Sequence, residues 1–387
     1  MRKIIFVTKA LWIGGIETAL INLLKNIDYT QYDVTLLLIH AELDLLDQIP
    51  SNCKVLIIDR EKNYTFKDKY KYDYLYHMTE EPDNPSHLHA KLMWTVPIIK
   101  WVENELYIHY VYKLMHNQHF DTAVIYSDVV AETTIRAIKA DKYIMFYHHG
   151  AMRHVYHDKI AYKKCDKIIA VSENQANELK KFMPKAVDKI MVIHNLIDID
   201  GIRCKANQPI KENFDRTKFN IVSVGRVAHE KGMDMAVRVC AELVAEGVDN
   251  IRWWIVGDGP DMLEVQDVIS ETHMGNYIFT VGMKTNPYPY IRQADLYVQP
   301  SRIESFGLTI TEALILDKTV VSTETFGATE ILSKKSNCTM CKVGVESLVN
   351  AIKKYLSCPE LLQQRKDFLK QFKKQNENSM YMLEKIL

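Results

Sequence analysis

Residues 294–314, ADLYVQPSRIESFGLTITEAL, contain a short apolar strand, a loop and the start of a helix. The strand is predicted to end at Pro300, where the apolar run stops. The loop carries Glu304, and the helix is predicted to begin near Gly307. Ligands of parallel sheets bind beyond the carboxyl ends of the strands, so this loop lies where a binding site is expected.

Two features of this stretch suit a phosphorylated ligand. Gly307 and Leu308 are at the predicted helix N-terminus, where backbone N–H groups without intrahelical partners attract anions. Glu312, within the helix, is able to accept hydrogen bonds from vicinal hydroxyl groups such as those of ribose. The pattern has a second interpretation, in which Glu304 is an acidic residue at a helix N-terminus and Glu312 lies on a solvated face.

Strands and helices alternate on both sides of this stretch, which predicts parallel sheets covered by helices on both faces. In the first half, the predicted strands are Ile4–Thr8, Val34–Ile39, Val55–Ile58, Ala123–Tyr126, Tyr143–Tyr147, Ile168–Val171 and Ile190–Ile193. In the second half, they are Asn220–Val224, Arg252–Val256, Tyr277–Val281, Leu296–Gln299 and Thr319–Thr323. Helices are predicted between them, including one at Ala131–Ala140, and the chain is predicted to be helical from Val345 onward.

The polar segment Lys205–Lys218, which contains Pro209, is interpreted as an interdomain linker. The N-terminal domain is therefore predicted to span residues 1–204 and the C-terminal domain residues 205–369. A last helix, at about 370–387, is expected to pack back on the first domain. The fold class is thus α/β, with two Rossmann-like, doubly wound domains facing a central cleft.

A second candidate phosphate-binding loop runs from Ser223 to Gly232, SVGRVAHEKG, after a predicted strand and before a helix. Gly225 permits a tight turn, while Arg226 and Lys231 place two cations beside a helix N-terminus. This combination suits a diphosphate, because backbone N–H groups and basic side chains neutralise its charge together. The same pattern also fits a surface loop with solvated charges.

Glycines also follow the next two strands of the second half. Gly257 and Gly282 each come directly after a predicted strand, where the lack of a side chain lets a ligand approach the backbone. For each glycine taken alone, a plain turn is the stronger explanation.

Composition excludes several other functional classes. The 387 residues carry 49 Lys and Arg against 49 Asp and Glu, and a basic excess typical of nucleic-acid binding is absent. Seven scattered cysteines do not suggest a disulfide framework, and Cys338 and Cys341 lack a second pair of metal ligands. No apolar run is long enough for a signal peptide or a membrane span, so a cytoplasmic location is expected.

The ordered set of these motifs resembles the retaining glycosyltransferases of family 4, also called group 1, which have the GT-B fold. Glu304 and Glu312 are separated by seven residues with Phe306 and Gly307 between them, as in the family signature. The Gly225–Gly232 loop and the first glycine loop, at Gly14–Glu17, match in the same order. Asn286-Pro287-Tyr288 resembles a version found in bacterial capsule and exopolysaccharide transferases.

The resemblance implies a role for each matched position. Arg226 and Lys231 are expected to hold the donor diphosphate, and Gly307 and Leu308 to donate backbone N–H groups to it. Glu312 is expected to bind ribose. Glu304 is expected to contact the donor sugar near the reacting carbon, and Gly15 to let the first loop approach the donor phosphates or the acceptor. The other expected donor-binding residues are Phe306, Gly225, Gly257 and Gly282.

A histidine at the end of a first-half strand is expected to contact the donor sugar. His148 and His149 both fit, and His149 is favoured because it directly precedes Gly150. Ala151 stands where relatives often have an acidic residue, and a structural capping role for the two histidines is the alternative. The predicted catalytic residues are therefore Glu304, His149, Arg226 and Lys231.

Neither a metal nor a cofactor is expected. Asp198 and Asp200 superficially resemble the metal-binding pair of the other glycosyltransferase fold, in which carboxylates hold a divalent cation against the diphosphate. We reject this interpretation, because Arg226 and Lys231 already supply the countercharge.

The expected partners are a nucleotide-sugar donor, most simply a UDP-sugar, and a glycan or lipid-diphosphate-linked acceptor. A non-catalytic nucleotide-sugar-binding subunit of a transferase pair is the alternative function. The segment Tyr64–Trp101 interleaves aromatic residues with lysines, which suits either docking on an anionic membrane at its inner face or a solvated acceptor loop.

Overall fold

A computed structural model of the chain describes residues 1–58, 95–148, 159–332, 338–363 and 368–387. The chain divides into two compact units. The first comprises Met1–Tyr147, Val155–Ile168 and Leu387, and the second comprises His148–His154 and Ile169–Ile386. The domain boundaries drawn from the sequence, 1–204 and 205–369, stay a prediction.

Seven strands form the first sheet, in the order β3-β2-β1-β4-β5-β6-β7. The pairs β1–β2, β1–β4, β2–β3 and β4–β5 are parallel. The bounds are β1 Arg2–Thr8, β2 Tyr32–Leu38, β3 Lys54–Ile57, β4 His119–Ile125, β5 Lys139–Tyr147, β6 Lys167–Ala170 and β7 Ile190–Val192. The order reverses between β1 and β4, as in doubly wound folds.

Helices connect these strands. Their bounds are α1 Gly15–Asn26, α2 Thr95–Met115, α3 Ala131–Ala137, α4 Lys159–Lys164, α5 Glu173–Phe182 and α6 Ile199–Lys205. In α1, Leu20, Leu23 and Leu24 are buried at the spacing of an amphipathic helix. No helix in the described ranges has the length and apolar character that a membrane span requires.

Six parallel strands form the second sheet, in the order β10-β9-β8-β11-β12-β13. The bounds are β8 Phe219–Val224, β9 Ile251–Val256, β10 Ile278–Thr280, β11 Leu296–Gln299, β12 Thr319–Thr323 and β13 Thr339–Cys341. This is the strand order of a dinucleotide-binding fold, with its reversal between β8 and β11. The predicted class of two Rossmann-like α/β domains is confirmed.

Both faces of the second sheet are covered by helices. Their bounds are α7 Met233–Ala245, α8 Met262–Glu271, α9 Tyr288–Gln293, α10 Leu308–Ile315, α11 Phe326–Leu332, α12 Val345–Ser357 and α13 Leu369–Glu384. Trp253 and Trp254 are consecutive in β9 and belong to separate buried clusters, because successive side chains of a strand point to opposite faces. Their indole N–H groups donate to Ser223 and Asn220 of the neighbouring strand β8, so neither polar atom is left unpaired.

Several predicted bounds were wrong. The helix predicted at Ala131–Ala140 ends at Ala137, because β5 begins at Lys139. The C-terminal region is not one helical run, since a short 3-10 turn at Pro359–Gln363 follows α12. The short helices α4, α6, α9 and α11 were not predicted.

The segment interpreted as a polar linker is anchored in the second unit. Phe214 is buried and stacks on Trp254, with 4.3 Å between ring centroids. Glu212 accepts hydrogen bonds from Lys284 and Tyr290. Burial opposes ionisation of Glu212, but these bonds outweigh it and lower the pKa to about 2. Part of Lys205–Lys218 therefore packs against the second unit, and its role as the interdomain linker stays a prediction.

The C-terminal residue is held by a hydrogen bond to a strand of the first sheet. The hydroxyl of Thr122, in β4, donates to the backbone oxygen of Leu387 over 3.0 Å, and both residues belong to the first unit.

The aromatic and basic side chains of Tyr64–Trp101, together with His149, lie outside the described residues. Docking of this segment on an anionic membrane stays a prediction, which sedimentation with anionic liposomes at low and high salt would test.

Phe214→Ala is expected to destabilise the protein by about 3–5 kcal/mol, because it leaves a cavity beside Trp254. Lys211→Ala, at an exposed position of the same segment, is the control and should change stability by about 0.5 kcal/mol or less. Urea unfolding followed by tryptophan fluorescence measures both. Equal stability of the two variants would show that the segment is an unanchored linker.

Candidate functional site

The predicted glycines of the second unit lie side by side at the carboxyl ends of β8, β9 and β10. The N–H of Gly225 donates to Val256 over 3.1 Å, and the N–H of Gly257 donates to Gly282 over 3.0 Å. Backbone hydrogen bonds therefore continue past the ends of the strands and hold three loops together.

Gly257 is required by the protein backbone itself. A Cβ atom at this position would overlap the carbonyl oxygen of Gly225. The neighbouring loop thus approaches the backbone closely at this glycine, and the expected contact of Gly257 with a ligand stays a prediction. Gly282 has a φ of 71°, in the left-handed region that glycine adopts without a steric cost, and no atom would crowd a Cβ there.

Two backbone hydrogen bonds and one ion pair join the loop after β8 to the loop after β11. The carbonyl oxygen of Glu230 accepts hydrogen bonds from the N–H groups of Arg302 and Ile303, over 2.8 and 3.1 Å. The Arg302 guanidinium also bonds both carboxylate oxygens of Asp234, at 2.7 and 2.6 Å. Two parallel bonds of this kind are strong and geometrically specific. The sequence reasoning assigned no role to Arg302 or Asp234.

These contacts between the two loops place Lys231 beside Glu304. Lys231 Nζ lies 2.6 Å from Glu304 Oε2, and the two side chains are only 23% and 11% exposed. The predicted phosphate ligand and the predicted sugar ligand therefore form one ion pair. At this low exposure the attraction between the two charges is only weakly screened, so Lys231 and Glu304 stabilise each other's charged form.

Arg226 is placed differently. Its guanidinium bonds Glu230, four residues further on, and its side chain is 64% exposed. The Glu230 carboxyl is half-buried, which opposes ionisation, but its hydrogen bonds and the charge of Arg226 keep its pKa below the usual value. Of the two predicted cations, Lys231 is thus the one held in the partly enclosed site.

Helix α10 begins directly behind the ion pair. Gly307 precedes its first residue with a φ of 83°, and no side chain caps this end. Phe306 is buried, and the carbonyl of Glu304 accepts a hydrogen bond from the N–H of Gly327 over 3.0 Å. The first-turn N–H groups, which include that of Leu308, are therefore held beside Glu304 with capacity for an anion.

Glu312 is buried in α10, so the alternative of a solvated face residue was wrong. Burial raises the pKa of its carboxyl to about 8, although a hydrogen bond from Tyr288 and the charge of Lys205 act in the opposite direction. The Tyr288 hydroxyl donates to Glu312 Oε1 over 3.3 Å. A buried carboxylate with one polar partner is a feature typical of binding sites.

Two family models match the chain in succession. Glycosyltransferase Family 4 matches residues 13–200, and Glycosyl transferases group 1 matches residues 205–375. The chain belongs to the group 1 glycosyltransferases of family 4. The resemblance drawn from the sequence motifs is confirmed.

Curated relatives of this group 1 glycosyltransferase match part of the chain. An uncharacterized glycosyltransferase of Methanocaldococcus jannaschii is 27% identical over 183 residues, which is 46% of this chain and 45% of the relative. An N-acetylgalactosaminyltransferase of Campylobacter jejuni, which acts on a diphospho-undecaprenol-linked sugar, is 26% identical over 43% of each chain. The match spans less than half the length of these curated relatives.

Solved structures extend the similarity to the whole fold. HepE of Anabaena, crystallised with UDP and glucose, superposes with a TM-score of 0.67 at 17% identity and full coverage of both chains. A TarM variant of S. aureus, crystallised with UDP, Fondaparinux and α-GlcNAc-glycerol, gives 0.69 at 14% identity, covering 100% of this chain and 99% of the other. At these identities the similarity shows the fold alone.

Gly15 and His149 are the remaining predicted positions. Gly15 is the first residue of α1, in the first unit. His149 is outside the described residues, but its neighbour His148 is buried, and the carbonyl of His148 accepts a hydrogen bond from Ser305 Oγ over 2.6 Å. Ser305 was not singled out from the sequence.

Asp198, one of the two aspartates with the metal-site spacing, has a local role in this glycosyltransferase. Asp198 caps α6, accepting a hydrogen bond from the N–H of Gly201 over 3.0 Å. In the ranges that the structure describes, His, Cys, Asp and Glu form no cluster of three or more suited to a metal. Cys338 and Cys341 are free thiols at the two ends of the β13 region.

Gly257→Ala is expected to destabilise the fold by about 1–3 kcal/mol, because a methyl group would collide with the Gly225 carbonyl. Gly275→Ala is the matched control, since a Cβ there has open space, and it should be neutral or slightly stabilising. Chemical denaturation measures the difference. If Gly257→Ala were as stable as the wild type and lost only nucleotide binding, a direct ligand role would replace the packing explanation.

Proposed function

We propose that the protein is a retaining, metal-independent glycosyltransferase that uses a nucleotide-sugar, most simply a UDP-sugar. The transferred group is a hexose or N-acetylhexosamine, and the acceptor is a glycan or a lipid-diphosphate-linked oligosaccharide of a bacterial surface polysaccharide. The observation that carries this proposal is the Lys231–Glu304 ion pair in front of the uncapped N-terminus of α10.

The Lys231–Glu304 ion pair offers one partner for a donor diphosphate and one for the donor sugar. A diphosphate brings negative charge that competes with Glu304 for Lys231, and the N–H groups of Gly307 and Leu308 supply further donors. Glu304, released from Lys231, becomes an acceptor for sugar hydroxyl groups close to the reacting carbon. Glu312, in the same helix, is the proposed acceptor for the ribose hydroxyls.

Charge development explains the rate acceleration. The bond from the anomeric carbon to the diphosphate oxygen breaks while the acceptor oxygen bonds to the same carbon, and the acceptor proton passes to the departing phosphate. The leaving group gains negative charge in the transition state, so Lys231 and the helix N–H groups stabilise the transition state more than the ground state. Attack from the face that the diphosphate leaves retains the configuration.

The comparisons support the nature of donor and acceptor. HepE has been crystallised with UDP-glucose and TarM with UDP, which favours a uridine nucleotide. The Campylobacter jejuni relative acts on a diphospho-undecaprenol-linked sugar, which favours a lipid-linked acceptor at the inner face of the membrane. A Klebsiella pneumoniae relative is an uncharacterized protein of a cps region.

A donor screen tests the proposal. UDP-, GDP- and ADP-sugars are incubated with the protein in excess EDTA, and release of the free nucleotide is measured. Turnover of one donor class, undiminished by EDTA, is expected. Loss of turnover that manganese or magnesium restores would contradict metal independence. Nucleotide binding without turnover of any donor, with a lipid-linked acceptor supplied, would favour the non-catalytic subunit instead.

Lys231→Ala is expected to lower kcat/KM for the donor by about 10- to 150-fold, because it removes a charge-assisted bond of about 1.5–3 kcal/mol. Arg226→Ala should cost about fivefold or less, since its exposed charge is screened. Lys284→Ala, which breaks a comparable ion pair with Glu212, is the matched control and should retain wild-type kcat/KM. An unchanged kcat/KM in Lys231→Ala would refute the assignment of this loop.

A further inference from the structure

The Asn286-Pro287-Tyr288 turn has no assigned role, although its sequence resembles a variant of the family pattern. Asn286 Nδ2 donates to the carbonyl of Lys205 over 2.9 Å and to Gln208 Oε1 over 2.7 Å. Its own Oδ1 accepts a hydrogen bond from the N–H of Tyr288 over 3.3 Å. The amide of Asn286 therefore ties the start of α9 to the segment that follows α6.

The last residue of this turn, Tyr288, contacts Glu312. The ring of Tyr288 packs against the buried cluster that contains Ile310 and Ala313 of α10. Its hydroxyl donates to Glu312 Oε1 over 3.3 Å. Within the described part of the chain, Glu312 Oε2 has no hydrogen-bond donor, so this oxygen is available to a ligand hydroxyl.

We propose that Tyr288 is a positioning residue for Glu312, and that Asn286 holds Tyr288 in place. Tyr288 fixes one carboxylate oxygen, so that the second is presented to the nucleotide ribose. This inference rests on the proposed function, since it assumes that Glu312 is the ribose ligand. It adds the residue that orients this ligand and favours its ionised form.

The electrostatics of Glu312 make the role of Tyr288 measurable. Burial raises the pKa of Glu312 to about 8, and Tyr288 and Lys205 partly counteract this effect. The other titratable groups facing this pair are the buried Tyr297 of β11, which faces Glu312, and Asp198, which faces Tyr288. Near neutral pH, the carboxyl is therefore largely protonated before the ligand binds.

The direction of the pH effect follows from these contacts. An ionised carboxylate accepts hydroxyl hydrogen bonds more strongly than a neutral carboxyl, so the Glu312 contribution to binding grows as pH rises through about 8. The Tyr288 hydroxyl stabilises the carboxylate. Removing it raises the pKa of Glu312 further, and the binding profile moves to higher pH.

Isothermal titration of UDP from pH 6 to pH 10 tests the inference. Tyr288→Phe keeps the ring and loses only the hydroxyl, and is expected to weaken UDP binding about three- to tenfold at pH 7, with recovery at higher pH. Tyr290→Phe is the matched control on the same helix, because its hydroxyl bonds Glu212 instead. Its binding profile should have the same midpoint as the wild type.

Two further variants separate the inference from the proposed function. Glu312→Gln should weaken UDP binding and abolish the rise near pH 8, and Tyr288→Phe should then have no additional effect. If Glu312→Gln weakens binding but Tyr288→Phe leaves the pH profile unchanged, the positioning role is overturned and the site stands. If Glu312→Gln binds UDP as the wild type does, the ribose assignment itself fails and the inference fails with it.

Discussion

The position of Lys231 depends on one junction, the pairing of Glu230 with residues 302 and 303. Two backbone hydrogen bonds and the Arg302–Asp234 ion pair hold the turn after β8 against the loop after β11. Without this junction, Lys231 would be one more flexible surface cation with little electrostatic effect. With it, the ammonium group is fixed beside Glu304 and in front of a helix N-terminus.

The same arrangement sets a requirement for ligand binding. Lys231 and Glu304 neutralise each other at 11–23% exposure, so a ligand that removes one partner must supply the charge that replaces it. In the proposed function, a diphosphate would supply this charge to Lys231, and sugar hydroxyl groups would donate hydrogen bonds to Glu304. A neutral sugar alone would leave the pair closed. The site is therefore suited to a ligand that carries both groups.

Much of the fold was predictable, because buried strands of Val, Ile, Leu and Trp and the glycines after them have a strong local pattern. Short elements such as α9 were missed, since six residues that include Pro289 and follow Pro287 carry little helical periodicity. The stacking of Phe214 was not predicted, because one aromatic residue in a polar segment gives no sign of its partner, Trp254.

Candidate residues of the site were likewise easier to predict than the contacts between their side chains. Lys231 and Glu304 were identified by spacing, but their ion pair depends on Arg302 and Asp234, which are 68 residues apart. The burial of Glu312 depends on the packing of α9 on α10, which a helical pattern alone does not reveal. His149 and Gly15 keep the roles predicted for them as expectations.

A crystal structure of the protein with UDP would show where the diphosphate binds. Lys231 Nζ is expected to lie within hydrogen-bond distance of a phosphate oxygen, with the phosphates against the N–H groups of Gly307 and Leu308 and the ribose on Glu312. A nucleotide bound elsewhere, with Lys231 still bonded only to Glu304, would contradict this expectation.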